Sequence, residues 1–569
     1  MELLGRRLAG VGVDRRGFLR IAAGLVAVGT PGIAPTPAGS RPTPAPGETL
    51  AREQVLRLGG GGWFERDPKS HDFNKDLYCG GVSSLFAGLL KFDADLRAVP
   101  SVATAVVPNA DATVWTFTLR RDARWSDGSP CTARDFEYSL TRQLDPATSC
   151  PQAPYLYDIK NAEAFHTGRT QDPGRVGVRA RDDWTLEITL EGPRGYFAVL
   201  MGAPATLPAH RPSVERYGDA WTEPGHIVSN GPFVLESWRH SSRMVLRKNP
   251  HFFGAGDVVL DTVIIPILSA RDSRPYRRGL VDVTRLHQST VTLFQASPEF
   301  ADETFRYVAA GTWYLIPQVS MSPFDDPRVR QAVAHAIDRD DVVDAGWGLA
   351  VAAHSMVPQG FAGARDDATV RALQRFDPAR ARALLRGTPY EGGRNWPKVV
   401  LSMRDEGYAA VSLARAVQGS LFQHLNLSTE LKVLDPHVFR DRLWRQEFQL
   451  VWIRWFMDYP DLNNQYADPF YGGKTTAVRQ AWRSEAFDRE IEAARRSLDE
   501  AARLAHYARA EEILQSDVAY IPVAWIVGYA AARPWVRGFE VNRTGERVLD
   551  GDLWTDMLSR LYVLERPSR

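Results

Sequence analysis

Apolar and polar residues alternate most regularly at Val114-Trp115-Thr116-Phe117-Thr118-Leu119. A period of two puts Trp115, Phe117 and Leu119 on one face of a strand. The polar stretch from Arg121 to Pro130, with Asp127-Gly128 inside it, predicts a turn region. The period then lengthens: Phe136, Leu140 and Leu144 recur every four residues, the stripe of an amphipathic helix, and Thr132 with Asp135 three positions on predicts its capped start. Two strand pairs follow, 176–180 with 184–190 turned at Asp182-Asp183, and 233–238 with 244–248. Residues 257–268 read as another strand, whose Pro266 points to a sheet edge or a bulge because proline cannot donate to a ladder. Helical spacing returns after Asp325-Asp326-Pro327, with Val329, Ala332, Val333, Ala336 and Ile337 on one face. Residues 448–456 are almost wholly apolar and aromatic and predict a strand. Residues 484–517 predict one long helix with Phe487, Ile491, Ala494, Leu498, Ala501, Ala505 and Ala508 on its apolar side. No internal repeat is visible, and pattern alone gives a mixed α and β chain of several domains.

At 569 residues the chain has room for three or four domains, and its 44% apolar and 24% charged fractions are those of a globular protein. A net charge of +1 supplies no bulk field for nucleic acid. Cys79, Cys131 and Cys150 make neither a disulfide framework nor a metal signature. An oxidising compartment would allow one disulfide, with Cys131–Cys150 the first pairing to consider and three buried thiols the alternative.

Near the N-terminus, Asp14-Arg15-Arg16-Gly17-Phe18-Leu19-Arg20 precedes a mildly apolar run from Ile21 to Ala34. It resembles a twin-arginine export signal. The run is short and interrupted by Gly24, Gly29, Pro31 and Gly32, too short to span a bilayer stably. A Pro/Ala/Gly-rich stretch, Pro35 to Gly47, predicts a flexible linker. No cysteine stands at the end of the run, so the usual lipoprotein anchor is not expected. The mature protein is either freed by cleavage or held at the membrane by an uncleaved signal, in the periplasm or on the cell surface.

Enzyme motifs are missing. Gly81-Val82-Ser83-Ser84-Leu85 fails a Gly-x-Ser-x-Gly elbow at its last position. No His-Glu-x-x-His, Cys-x-x-Cys or phosphate-binding Gly-x-x-x-x-Gly-Lys-Ser/Thr occurs. No catalytic residue, cofactor or metal site is expected.

Five blocks, taken in order, carry a resemblance. They are Leu85-Phe86-Ala87-Gly88-Leu89-Leu90; Trp115 to Pro130 with Thr132-Ala133-Arg134-Asp135-Phe136; Asn230-Gly231-Pro232-Phe233 with Arg247-Lys248-Asn249-Pro250-His251-Phe252-Phe253; Pro323 to Ala332 with Ile337-Asp338-Arg339; and Trp455-Phe456-Met457-Asp458-Tyr459-Pro460-Asp461. Together they resemble the peptide-binding class, family 5, of ABC-transporter solute-binding proteins, with Ala87 where the family usually has Glu. The resemblance covers most of residues 55–530. It implies an α/β, two-lobed, hinged periplasmic-binding-protein fold of class II type, with an extra α/β domain inserted in the first lobe. Its implied layout is a signal at 1–34, a linker at 35–49, a discontinuous first lobe at 50–88, 208–310 and 526–569, the extra domain at 89–207 and the second lobe at 311–525. It also implies a monomer that delivers peptide to membrane permease subunits with separate ATPase subunits.

A peptide of any sequence offers an ammonium, a backbone and a carboxylate. A tolerant receptor pairs the first with an acid and the second with exposed main chain. In the oligopeptide branch the Asp matching Asp458 holds the ammonium. Arg454 and Phe456 are then candidate backbone contacts, and Trp452, Trp455 and Tyr459 candidate walls. Asp-Tyr-Pro-Asp is also turn chemistry, and Trp452 and Trp455 also read as core aromatics. Arg404, His424, Arg442 and the Arg454 side chain are candidates for the ligand carboxylate. Trp313 and Tyr314 are candidates for the cleft wall, and Asn230 reads as a turn residue. Oligosaccharide, haem and nickel-chelate receptors share the fold, and an exported peptidase or glycosidase and a peptide sensor stand as alternatives.

Overall fold

Two long antiparallel strands, Thr304–Pro317 and Ile521–Ala532, run from one lobe into the other. In the computed structural model, residues 42–59, 67–75, 81–269, 271–473, 480–542, 545, 547 and 556–566 are described. The twin-arginine segment, the apolar run behind it and Cys79 lie outside the described residues. Just past the expected Pro/Ala/Gly-rich linker stretch, Glu48 pairs with Arg537 at 3.0 Å.

In the first lobe a four-stranded sheet has the order Val55–Arg57, Thr262–Pro266, Arg243–Lys248, Phe233–Arg239. Thr262–Pro266 is an inner strand and not an edge. Its short parallel neighbour ends opposite Ile264, and Pro266 stands beyond that point as the last residue of the strand. The extra domain is built on an antiparallel sheet in the order Ala103–Pro108, Val114–Leu119, Thr185–Thr189, Val178–Asp182. Trp115, Phe117 and Leu119 are buried as their spacing requires. Helix Ala133–Leu144 packs on this sheet through Phe136, Leu140 and Leu144, and at its start the Thr132 N–H donates to Asp135 Oδ2 at 2.7 Å. Both sheets share one apolar cluster.

The large sheet has the order Val283–Leu286, Ile521–Ala532, Thr304–Pro317, Leu450–Phe456, Val399–Arg404, Thr429–Leu434, with Ala350–Ala352 pairing Ile521–Ala532 on the same edge as Val283–Leu286. Its second-lobe half is covered on both faces. Trp313, Leu315, Leu450 and Trp452 enter one cluster, and Tyr314, Ile316, Val451, Ile453 and Trp455 enter the other. A strand buried on both sides reads as a continuous apolar run, which is why 448–456 shows no alternation. Asp326 caps helix Pro327–Ala336, and Asp338 caps Arg339–Asp344. Buried Arg339 donates to the carbonyls of Ala353, Pro522 and Gln374, so the Ile337-Asp338-Arg339 block is a staple of the core.

The single helix expected over 484–517 is two, Glu485–Arg496 and Glu500–Ser516. Ser497 is extended, and Asp499 starts the second helix by accepting from the Ala502 N–H at 2.7 Å. The restart resets the phase: Ala501 and Ala505 are exposed, while Tyr507, Ala510, Glu511 and Leu514 are buried. Cys131 and Cys150 are free, buried thiols and not a disulfide; Cys131 Sγ instead lies 3.5 Å from Asn230 Nδ2.

Two outcomes are expected. Burial pushes the Cys131 thiol well above its usual range and Cys150 up to about 11, so both should react with a thiol reagent only after unfolding. A Cys131–Cys150 peptide in a non-reduced digest would refute this. Burial also pushes Glu511 up from 4.5 to about 7. The folded state therefore holds an extra proton between those values, and stability falls as pH rises through the window, by at most about 3 kcal/mol. Urea unfolding of Glu511→Gln should lack that slope; parallel wild-type and variant profiles would assign it elsewhere.

Candidate functional site

The aromatic strand Leu450–Phe456 pairs with Thr304–Pro317 along its whole length. On its other side it pairs with Val399–Arg404 only at Leu450 and Val451. The two parallel strands then diverge, so from Trp452 to Phe456 that edge has no strand partner among the described residues. Arg454 reaches over the gap to Glu406, its Nε 2.9 Å from Oε2, and Glu406 also contacts Arg404. The Glu406 side chain is 6% exposed against 33% for Arg454 and 40% for Arg404, so one sunken carboxylate is shared by two half-exposed guanidiniums. The triad carries a net positive charge at the lip of the gap. The Arg454 guanidinium also lies over the rings of Phe456 at 4.7 Å and Trp313 at 5.6 Å.

Beyond the strand, Asp458 is half-buried and held by Asn464. Asn464 is fully buried and uses both ends of its amide. Its Oδ1 accepts from the Trp455 indole at 3.1 Å and the Asp458 N–H at 2.9 Å, and its Nδ2 donates to Asp458 Oδ2 at 3.2 Å and Asp468 Oδ2 at 2.8 Å. A single π-turn, Asn463–Ala467, presents it; such turns recur where a helix is bent to serve a site. Next to Asp458, Tyr459 turns away and joins the apolar cluster of the first lobe, where Tyr155 and Tyr196 pack on it. Asp95 and Leu96 of the first lobe, with Phe361, Ala362, Met457, Pro460 and Asp461 of the second, line a narrow crevice there, with a volume of about 10 Å³. Asp458 therefore stands at the seam between the lobes.

The remaining candidates fall in different places. Trp455 faces the opposite side of the sheet from Arg454 and is buried over Asn464, so it supports the site from behind and walls no pocket in front. Trp452 is buried and stacks on Trp313 with centroids 5.4 Å apart. The expectation that Tyr314 lines the cleft is corrected: it is fully buried in the core behind the sheet, edge-on to Tyr520. His424 is also set apart. It sits in the last turn of helix Tyr408–Leu425 against Phe376, about 24 Å along the helix axis from the end that follows Glu406. Arg442 pairs with Glu447 at 3.4 Å and covers Phe448. Asn230 is not a turn former: its side chain pairs with both the N–H and the carbonyl of Ala87, each at 2.9 Å, and so fixes the Leu85–Leu90 block. A wider open groove on the extra domain contains Arg134, Arg142, Arg179 and Arg211, but each is matched to an acid, Asp183, Asp72, Glu137 and Glu215 respectively.

Sequence reasoning missed Asn464 and Glu406. The Asn463-Asn464 pair just after Asp461 was a usable signal, since buried amides rarely occur without a polar partner to satisfy. Nothing in the chain links Glu406 to Arg454, which are 48 positions apart. Asn464→Ala should lower second-lobe stability by roughly 2–4 kcal/mol, because it strands a buried indole N–H and a carboxylate. Denaturant unfolding followed by tryptophan fluorescence checks this, and a loss below about 1 kcal/mol would remove Asn464 as the hub.

Residues 97–477 match the family described as bacterial extracellular solute-binding proteins, family 5 Middle. The chain is 32% identical to the periplasmic oligopeptide-binding protein OppA of Escherichia coli over 90% of its length and 93% of that protein's. It is 28% identical to the dipeptide-binding protein DppE of Bacillus subtilis, over 81% of this chain and 85% of that one. Among solved structures, the unliganded open form of the periplasmic murein tripeptide-binding protein MppA superposes with a TM-score of 0.76 at 25% identity, over 91% of this chain and 99% of that one.

Proposed function

The chain belongs to family 5 of the bacterial extracellular solute-binding proteins, and from that premise we propose that it captures peptides outside the cytoplasm and hands them to the permease of an ABC importer. One observation carries the reading. The open backbone edge at Trp452–Phe456 leads directly to a half-buried carboxylate at the lobe seam. An extended peptide can add to that edge as a strand, which reads main chain and ignores side-chain identity. Asp458 then receives the ammonium, with Asn464 fixing the carboxylate so that little ordering remains to be done on binding. The Arg404–Glu406–Arg454 triad, with its surplus positive charge, is the candidate for the ligand carboxylate; Phe456 and Trp313 stiffen it.

Capture works by differential affinity. A ligand that touches both lobes favours their closed arrangement by the extra contacts made there. The protein acts as a monomer, and ATP is hydrolysed on separate ATPase subunits. The reading assigns this chain no catalytic residue. Asp14 to Arg20 supports export by the twin-arginine route.

Native mass spectrometry of protein purified without refolding should show a ladder of co-purified peptides; a bound sugar or metal chelate in their place would overturn the ligand class. Asp458→Asn should weaken tight peptides by about 2–5 kcal/mol, as for a buried charge pair that loses one partner, and N-acetylation of the peptide should cost the wild type a similar amount. Titration calorimetry measures both. Equal affinity for free and acetylated peptides would move ammonium recognition away from Asp458.

A further inference from the structure

A buried polar cluster holds the extra domain against the second lobe, and peptide capture as described leaves it unused. Asp158 of the extra domain is 8% exposed. Its carboxylate accepts from Arg194 Nε at 2.7 Å and from the Tyr196 hydroxyl, both in the same domain, and from Arg495 Nη2 at 2.8 Å, which comes from the second-lobe helix Glu485–Arg496. Arg495 continues to Glu492 at 3.3 Å, whose Oε1 accepts from the Tyr471 hydroxyl at 2.5 Å. Main chain joins the same seam, where the Gly195 N–H donates to the Arg495 carbonyl at 2.7 Å. The approach is close enough to require glycine, since a Cβ at Gly195 would lie 1.8 Å from the Ser497 carbonyl oxygen. On the other side of Tyr196 the ring lies parallel to Tyr459, 6.3 Å away with 9° between planes, and Tyr459 directly follows Asp458.

The chain of contacts therefore runs from Arg495 through Asp158 and Tyr196 to Tyr459, from the second lobe into the extra domain and back to the capture segment. Opening the seam would take from buried Asp158 one of its two guanidiniums and leave buried Arg495 with Glu492 alone, so the contact resists opening. We infer that Asp158 is a positioning residue for capture: it tethers the second lobe to the extra domain and, through Tyr196 and Tyr459, sets where Asp458 stands relative to the first lobe. Lobe rotation then turns about this contact and does not break it. The part of the inference that concerns Asp458 rests on the reading of that residue as the partner of the ammonium; the tether does not.

Two variants test it, Asp158→Asn, which removes the charge, and Gly195→Ala, which wedges the seam against the Ser497 main chain and changes no charged side chain. Asp158→Glu serves as the conservative control. X-ray scattering of the ligand-free proteins should show a larger radius of gyration in both variants and a return toward wild type in the control. Calorimetry with a pentapeptide, free and N-acetylated, should show the preference for the free amine falling about tenfold in both variants, the size of a typical coupling between sites. A defect confined to stability would lower the melting temperature and leave that preference intact, and together with unchanged scattering it would overturn the proposal. If the wild type shows no preference for the free amine, the reading of Asp458 fails, and scattering alone still decides whether the tether exists.

Discussion

The two lobes are joined through a hydrogen-bonded strand pair, and the properties of that pair shape the molecule. Thr304–Pro317 and Ile521–Ala532 are antiparallel throughout, but their register shifts between Val308 and Thr312 and again at Trp313–Tyr314. The first shift lies where the pair passes from its first-lobe neighbour, Val283–Leu286, to its second-lobe neighbour, Leu450–Phe456. A bulge there bends the ladder without abandoning it, so each lobe keeps its own core while the connection stays paired. The crossing is tightly packed at its glycines. A Cβ at Gly528 would lie 2.2 Å from the Tyr307 ring, and one at Gly311 would meet Ile526 and Phe456.

The crossing also explains where the proposed site lies. Leu450–Phe456 is held on one side by the shared strand and is released on the other after two pairs with Val399–Arg404. An edge left without a strand partner in this way can accept an extended chain. The Arg454 and Arg404 guanidiniums are anchored on Glu406, which fixes their positions and leaves the triad with one positive charge beside the middle of the edge. Asp458 stands two residues past the end of the strand, with its orientation set by a saturated amide, Asn464.

The extra domain takes part in this arrangement. It shares the first lobe's apolar cluster, receives Tyr459 from the second lobe, and offers Asp158 to Arg495. Burial drives Tyr459 and Tyr196 to ionise well above the usual tyrosine range, so their hydroxyls stay neutral hydrogen-bonding groups at any working pH. The seam is therefore built from a buried carboxylate shared by two guanidiniums, neutral phenols and a main-chain contact.

Local chemistry was legible in the chain. The alternation at Val114–Leu119, the capped start at Thr132, the proline-led helix at Pro327 and the aromatic strand all depend on neighbours a few residues away, and sequence by itself determined them. Phase over a long helix was not, because Asp499 can restart a helix and turn its apolar side without any break in composition. The resemblance in ordered blocks pointed to Asp458, but a block cannot say which way its side chains face. Only the tertiary structure put Trp455 behind the sheet, sank Tyr314 in the core, carried His424 to the far end of its helix and joined Arg454 to Glu406. Each of those outcomes depends on groups tens to hundreds of positions apart meeting across a sheet or a lobe seam. Burial and pairing belong to the folded whole, and no stretch of sequence carries them alone.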